Sequence, residues 1–264
     1  MKVALSIAGS DSGGGAGIQA DLKTFHQFGV FGTSVVTAVT AQNTRGVRAW
    51  EPVSAALVAH QLDAVAEDLP PAAVKSGMLG SAAVVAAVAD GLVRHTPPFY
   101  VLDPVMVATS GDRLLDHNAE HLIAERLVPM ATLVTPNLAE AEVLVGAPVR
   151  TPDEMERAAR ALVSRGAAAV LVKGGHLPGE GEVVDVLVTR AGARRFGHAR
   201  VVTRSAHGTG CTLSSAITAS LALGADLEQS VGRALDYVHR ALREAPGLGG
   251  GYGPLNHFVS SDPV

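Results

Sequence analysis

The densest chemical signal in the chain is the run His207-Gly208-Thr209-Gly210-Cys211, in which two glycines lead directly into a helical pattern through Leu213, Ala216 and Ile217. Glycines at such a turn let backbone N–H groups converge on one anion, and the positive end of the helix dipole adds to them. The run therefore suits a phosphate, or an oxyanion that forms in a transition state. An ordinary glycine turn ahead of a buried helix has the same spelling. Cys211 falls in the first turn, where the dipole and the N–H groups are expected to lower a thiol pKa. The resulting thiolate is placed to take a proton from a substrate hydroxyl. Free cysteine is also among the residue types most often buried and inert, and that reading stays open on position alone.

A second run, Gly9–Gly17, places five glycines in nine residues. It is not a P-loop, because no Lys-Ser or Lys-Thr follows. It is not a dinucleotide fingerprint either, because Ile18 stands where Gly13-x-Gly15 requires the third glycine. It is expected to wrap a small substrate with backbone groups. Asp103, Asn137 and Glu140 offer the hard oxygen donors that Mg²⁺ prefers, usually through waters, although each alone also reads as a cap or a solvated acid. Lys173, followed by Gly174 and Gly175, suits a nucleotide phosphate or simply solvent. Of ten histidines only His207 carries weight, and no H-E-x-x-H spacing supports a zinc site.

Composition narrows the classes. With 47% hydrophobic and 17% charged residues the 264-residue chain can build a large core, which excludes intrinsic disorder. At 4% aromatic residues that core must be made of Ala, Val and Leu. A net charge of −4 without any basic tract removes the case for a nucleic-acid binder. One cysteine excludes an internal disulfide framework and fits a reducing compartment. The apolar start of the chain breaks into glycines too early for a signal peptide, and no run approaches the roughly 20 apolar residues that span a bilayer. A cytoplasmic protein is expected.

The elements that must position these residues alternate between short β-branched runs and longer Ala/Leu-rich segments, the pattern of parallel strands with crossover helices. Strands are expected at 3–8, 34–41, 73–77, 100–103, 133–135 and 168–173, with an antiparallel pair, 183–189 and 195–201, turning at Ala191-Gly192. Helices are expected at 16–28, 55–67, 81–94, 116–127, 153–165, 209–223 and 227–243, and after Asn137, with Ser81 and Asn137 as N-caps. No linker or internal repeat interrupts the series, so residues 1–264 read as one domain. Open parallel sheets bind ligands at the carboxyl ends of their strands. That rule gathers Gly9–Gly17, Gln42, Met78, Asp103, Asn137 and Lys173 along one edge.

Taken together, AGSDSGGGAGIQADLKTF, TAVTAQNTRGV, KSGMLG, LDPVMVATSGDRLL, TPNLAEAEVL, VLVKGGH, HGTGCTLSSAI and GPLNHF resemble the ribokinase-like superfamily. They resemble most closely its hydroxymethylpyrimidine/phosphomethylpyrimidine kinase branch, in order and over nearly the whole chain. The resemblance implies a three-layer αβα sandwich on a mostly parallel sheet. It implies ATP·Mg²⁺ phosphorylating 4-amino-5-hydroxymethyl-2-methylpyrimidine and then its monophosphate, for thiamine biosynthesis. Gln42 matches the contact to the aminopyrimidine, and Ala16, Thr40, Met78 and Val105 match its apolar walls. Asp103 and Glu140, with Asn137, match the Mg²⁺/phosphate network, and Lys173 the ATP-phosphate contact, with His207 beside it. Gly208, Thr209, Gly210 and Cys211 match the anion hole and base, at a position where most of the wider superfamily has Asp. A homodimer is the family expectation. A pyridoxal/pyridoxine kinase is the alternative enzyme, and a ligand-binding relative without catalysis the alternative class. The glycine-rich loop and the VATSGD segment are the expected lid candidates.

Overall fold

The computed structural model describes residues 1–106, 115, 117–175, 177 and 181–262. The VATSGD segment lies outside the described residues. One nine-stranded sheet runs through the molecule in the order β3-β2-β1-β4-β5-β6-β7-β8-β9. Its strands are β1 (Val3–Asp11), β2 (Phe31–Asn43), β3 (Gly46–Pro52), β4 (Ala73–Ser76), β5 (Tyr100–Leu102), β6 (Leu133–Val134), β7 (Ala169–Val172), β8 (Glu182–Thr189) and β9 (Ala193–Ala199). Pairing is parallel from β2 through β7, while β3 at one edge and β8 and β9 at the other pair antiparallel.

Helices cover both faces. On one side α1 (Gly17–Gln27), α7 (Thr209–Ala222) and α8 (Leu227–Arg243) enclose a core with Phe25, Val101, Leu133, Ile217 and Tyr237. On the other, α2 (Ala55–Asp68), α3 (Ala82–His95), α4 (His117–Leu122), α5 (Leu138–Val145) and α6 (Pro152–Ser164) bury Leu5, Ile7, Leu62, Val88 and Leu162. The central strands β4 and β7 are buried at every position, β7 as the continuous apolar run expected between two helical layers and β4 with Lys75 and Ser76 enclosed as well.

Local chemistry sets the helix ends. Ser81 accepts a hydrogen bond from Val84 N–H and caps α3. Asn137 and Glu140 form a reciprocal capping box at the start of α5. Helix α8, capped by Asp226, spans the range its pattern predicts. Three expectations need correction. Strand β3 has no counterpart in the sequence reading, because nearly all its residues are exposed at the sheet edge and show no alternation. The antiparallel hairpin turns where expected, but β9 starts two residues earlier than the predicted 195–201. The helix expected over 116–127 is α4 followed by a wider turn at Ile123–Leu127 and a tight one at Val128–Met130, where Pro129 sits.

The C-terminal tail pins the start of α7. Thr212 and His257 Nε2 lie 3.1 Å apart, and Tyr237 Oη donates to the His257 carbonyl at 3.0 Å. Burial, followed by the nearby Lys23 charge, lowers the His257 pKa to about 4. Above the ordinary histidine range neither state holds this proton. As pH falls below about 6.5 the unfolded chain takes one up and the folded chain does not, so stability drops until about pH 4. The span corresponds to roughly 3 kcal/mol. Urea unfolding of the wild type and His257→Gln at pH 7 and 5 checks this: the wild type should lose more stability on acidification than the variant, and equal losses would exclude His257 as a source.

Candidate active site

A cavity of about 620 Å³ opens at the carboxyl ends of β1, β4, β5, β6 and β7. Every residue singled out from the sequence lines it: Ala16, Thr40, Gln42, Met78, Asp103, Val105, Asn137, Glu140, Lys173, His207, Gly208, Thr209, Gly210 and Cys211. They divide along its length. Ala16, Thr40, Gln42, Met78 and Val105 form a mostly apolar compartment at the β1/β2 end. Asp103, Asn137, Glu140 and Lys173 lie at the centre, facing the turn 208–211.

The glycine turn is built by a close approach of two loops. Gly208 has φ +84°, and a Cβ placed there would collide with the Gly15 carbonyl. Gly17, with φ +56°, likewise abuts the Gly9 carbonyl, so the loop after β1 closes over the start of α7. Asp11 organises that loop and was not singled out from the sequence. Its carboxylate accepts from Gly13 N–H (2.8 Å), Gly15 N–H (3.0 Å) and Ala16 N–H (2.9 Å), and from His207 Nε2 (2.9 Å). Against its burial, the His207 bond and the Gly13 and Ala16 amides hold the Asp11 carboxyl below the usual range. An Asp two residues before a glycine run is a recognisable Asx-turn spelling, and that was the available signal. The Gln42 side-chain nitrogen stands 3.3 Å from the same His207 Nε2.

At the centre, Lys173 Nζ donates to Asp103 Oδ1 at 2.9 Å and lies 3.9 Å from Glu140 Oε2. Asp103 also accepts from Thr135 Oγ1 (3.2 Å) and Ser214 Oγ (3.4 Å). Against full burial, Lys173 and Lys75 hold Asp103 below the ordinary carboxylate range. Burial, only partly offset by Lys173 and reinforced by Asp103, pushes Glu140 up to about 7. Two buried carboxylates sharing one ammonium form a cluster short of positive charge, which fits a hard cation held partly through water and phosphate. Among the described residues no three His, Cys, Asp or Glu side chains group to hold an ion unaided.

Cys211 corrects an expectation. Its position at the α7 N-terminus does not yield a low-pKa thiol. Burial pushes it up to about 11, opposed by the Lys75 ammonium and by a hydrogen bond from Gly17 N–H, while Asp21 and Asp103 add to the rise. Desolvation outweighs the nearby donors, so the resting residue is a thiol.

The far end of the cavity was also missed. Val183, Val201, Leu235, Val238 and Leu242, from β8, the loop after β9, and α8, line an arm beyond Lys173 together with Asp185, His198, Arg200 and His239. Leu235 and Val238 are core residues, as their sequence pattern reads, and only the fold shows that they also line the cavity. Among the described residues no helix is long and apolar enough to cross a membrane.

Comparison with solved structures fixes the class. The chain superposes on a phosphomethylpyrimidine kinase from Clostridium difficile 630 with a TM-score of 0.82 at 42% identity, covering 92% of this chain and all of that one. It superposes on a Bacillus subtilis pyridoxal kinase, solved as an ADP complex, with a TM-score of 0.91 at 35% identity, covering 97% of each. The helix-covered sheet with a glycine turn at a helix start is that of a ribokinase-like phosphotransferase, as the motifs imply. Residues 11–256 match the family described as phosphomethylpyrimidine kinase. A hydroxymethylpyrimidine/phosphomethylpyrimidine kinase of Rhizobium meliloti (strain 1021) is 54% identical over 97% of both chains. The chain belongs to the phosphomethylpyrimidine kinase family.

Proposed function

We propose that the protein transfers the γ-phosphoryl group of ATP to the hydroxymethyl oxygen of 4-amino-5-hydroxymethyl-2-methylpyrimidine, and then phosphorylates the monophosphate to the pyrophosphate for thiamine biosynthesis. The observation that carries this reading is the cavity itself. One mostly apolar compartment carrying the Gln42 amide meets a charged centre at the glycine turn, and a second arm with Val201, Val238 and Leu242 in its wall lies beyond it.

In this reading the pyrimidine occupies the compartment of Ala16, Thr40, Met78 and Val105, and the Gln42 amide pairs with the ring nitrogen and exocyclic amine. The adenosine lies in the arm of Val201, Val238 and Leu242. Lys173, Asn137 and His207 serve the nucleotide phosphates, and the N–H groups of Gly208, Thr209, Gly210 and Cys211 receive the γ-phosphoryl oxygens. Asp103 and Glu140 would hold Mg²⁺, which supplies charge neutralisation to the phosphates. The substrate oxygen attacks Pγ, the bond from Pγ to the bridging oxygen breaks, ADP leaves, and the hydroxyl proton passes to the Cys211 sulfur. Because the resting residue is a thiol, turnover draws on its thiolate fraction. A cytoplasmic homodimer of one kinase domain, residues 1–264, accompanies the family reading.

Pyridoxal kinase is the second reading, favoured by the TM-score of 0.91 to the Bacillus subtilis enzyme. Gln42 separates the two, since a ring with an amine beside a ring nitrogen uses both halves of an amide. Steady-state comparison of the pyrimidine alcohol and pyridoxal decides between them: kcat/KM should favour the pyrimidine, and preference for pyridoxal would overturn the proposal. Gln42→Leu should cut kcat/KM for the pyrimidine by ~10²-fold or more, mainly through KM, because it leaves the ring's polar edge unpaired. An unchanged KM would remove Gln42 from the contact.

A further inference from the structure

Three consecutive residues at the end of β1 hold the part of β2 that carries Gln42. The Ser10 carbonyl accepts from Thr40 Oγ1 at 2.9 Å. Ser12 Oγ accepts from Gln42 N–H and donates to the Gln42 carbonyl, both at 2.8 Å. Between them, Asp11 reaches the Gln42 side chain through the His207 ring, 2.9 Å from the one and 3.3 Å from the other. That ring is held in place on two further sides. The His207 backbone N–H donates to the Gly253 carbonyl at 3.1 Å, and a Cβ on Gly15 would stand 2.6 Å from His207 Cδ2.

The protons along this chain of contacts can be assigned. Asp11 Oδ1 takes Gly13 N–H and Oδ2 takes Gly15 and Ala16 N–H, so the group is an acceptor throughout and the hydrogen shared with the ring belongs to His207 Nε2. A protonated ring nitrogen has no lone pair left in the ring plane. The Gln42 amide nitrogen, 3.3 Å away, therefore finds no acceptor there. At its other end the amide oxygen stands 3.3 Å from Thr40 Oγ1, whose one hydrogen goes to the nearer Ser10 carbonyl. A half turn about the Gln42 Cγ–Cδ bond satisfies both ends at once: the oxygen then meets His207 Nε2–H, and the nitrogen donates to Thr40 Oγ1. A hydroxyl can serve either end of an amide, so the direction is decided at His207.

We propose that Asp11 and His207 are positioning residues that fix the Gln42 amide with its oxygen on the side of the glycine turn, and that this direction selects rings with an amine next to the hydroxymethyl group. So held, the oxygen keeps a lone pair for an incoming donor and the nitrogen a hydrogen for an incoming acceptor. In the pyrimidine alcohol the amine is on the carbon beside the one bearing the hydroxymethyl, and the ring nitrogen is one atom further away. With the hydroxyl at the turn 208–211, the amine meets the amide oxygen and the ring nitrogen meets the amide N–H. The selectivity rests on the pyrimidine reading of this compartment, whereas the proton on His207 Nε2 does not. The role is separate from the phosphate contact assigned to His207, which KM for ATP reports.

Two measurements test this. Long-range proton–nitrogen NMR on isotope-labelled wild type locates the ring proton, with the His207 signal identified by its loss in His207→Gln. A proton on Nε2 is expected, and a bare Nε2 overturns the proposal whatever the substrate. The second measurement compares kcat/KM for the pyrimidine alcohol and its 4-oxo analogue, in which a carbonyl replaces the amine and an N–H the ring nitrogen. The wild type should prefer the amine by ~10²-fold or more, because the fixed amide sets carbonyl against carbonyl and N–H against N–H in the analogue. In His207→Phe the amide is free to turn, so the preference should fall to about fivefold or less, with kcat/KM for the analogue rising. His207→Gln, which keeps an N–H for Asp11 and the amide, should retain most of the preference. A merely structural role for His207 would depress both rings together, and that result, with the preference unchanged, overturns the proposal. If His207→Phe does not fold, the proton position in the wild type decides. Gln42→Leu separates this proposal from the reading beneath it. Preference lost in both Gln42→Leu and His207→Phe supports the proposal, and loss in Gln42→Leu alone overturns it. Preference kept in Gln42→Leu removes Gln42 from the ring contact and overturns both.

Discussion

Cys211→Ala is expected to lower kcat for the pyrimidine alcohol by ~10²- to 10⁴-fold while changing KM for ATP only slightly. The side chain sits where a proton acceptor is needed, but its N–H group, which completes the anion hole, survives the substitution. Binding should therefore be retained and proton removal lost. Because burial holds the thiol at about 11, the wild-type rate should also climb with pH between about 7 and 9, by up to tenfold per pH unit, as the thiolate fraction grows. Cys211→Asp supplies the acceptor that the resemblance assigns to most of the wider superfamily. It should keep substantial activity and flatten that rise. If Cys211→Ala turns over like the wild type, or if its pH dependence matches the wild type's, the sulfur is not the base.

Gly208→Ala is the second large effect. The backbone at 208 has φ +84°, which an L side chain adopts only with strain, and the new Cβ would be driven into the Gly15 carbonyl. Neither partner is a flexible side-chain tip, so one of the two loops must move. Displacement of even one anion-hole donor typically costs ~10²- to 10³-fold in kcat. Forcing apart the turn and the Asp11-organised loop should also lower thermal stability by at least about 2 kcal/mol. Wild-type kcat in Gly208→Ala would show that the turn does not hold the transferred group.

Most of the architecture was legible because β5, β6 and β7, between two helical layers, are continuous apolar runs and several helices announce their caps. Ser81, Asn137 and the full length of α8 were readable in that way. Strand β3 was not, since an exposed edge strand has no buried face to impose a period. The site residues were legible where chemistry needs a particular residue type at a strand end, as at Asp103, Lys173 and Gly208. Asp11 escaped notice because its work is to bind its own loop's backbone. The Cys211 pKa could not be judged from the helix start alone. Its sign depends on how far the sulfur is desolvated against the nearby donors, which a helix start alone does not fix. That Val183, Val201 and the core residues Leu235 and Val238 also line the cavity became readable only once β8, β9 and α8 were placed around it.

The most direct test supplies the purified protein with ATP, Mg²⁺ and 4-amino-5-hydroxymethyl-2-methylpyrimidine and follows the products by mass. The account predicts a monophosphate that appears first and a pyrophosphate that accumulates from it, each with one equivalent of ADP. ATP-dependent phosphorylation of pyridoxal with no phosphorylated pyrimidine, or no phosphoryl transfer to either alcohol, would contradict it.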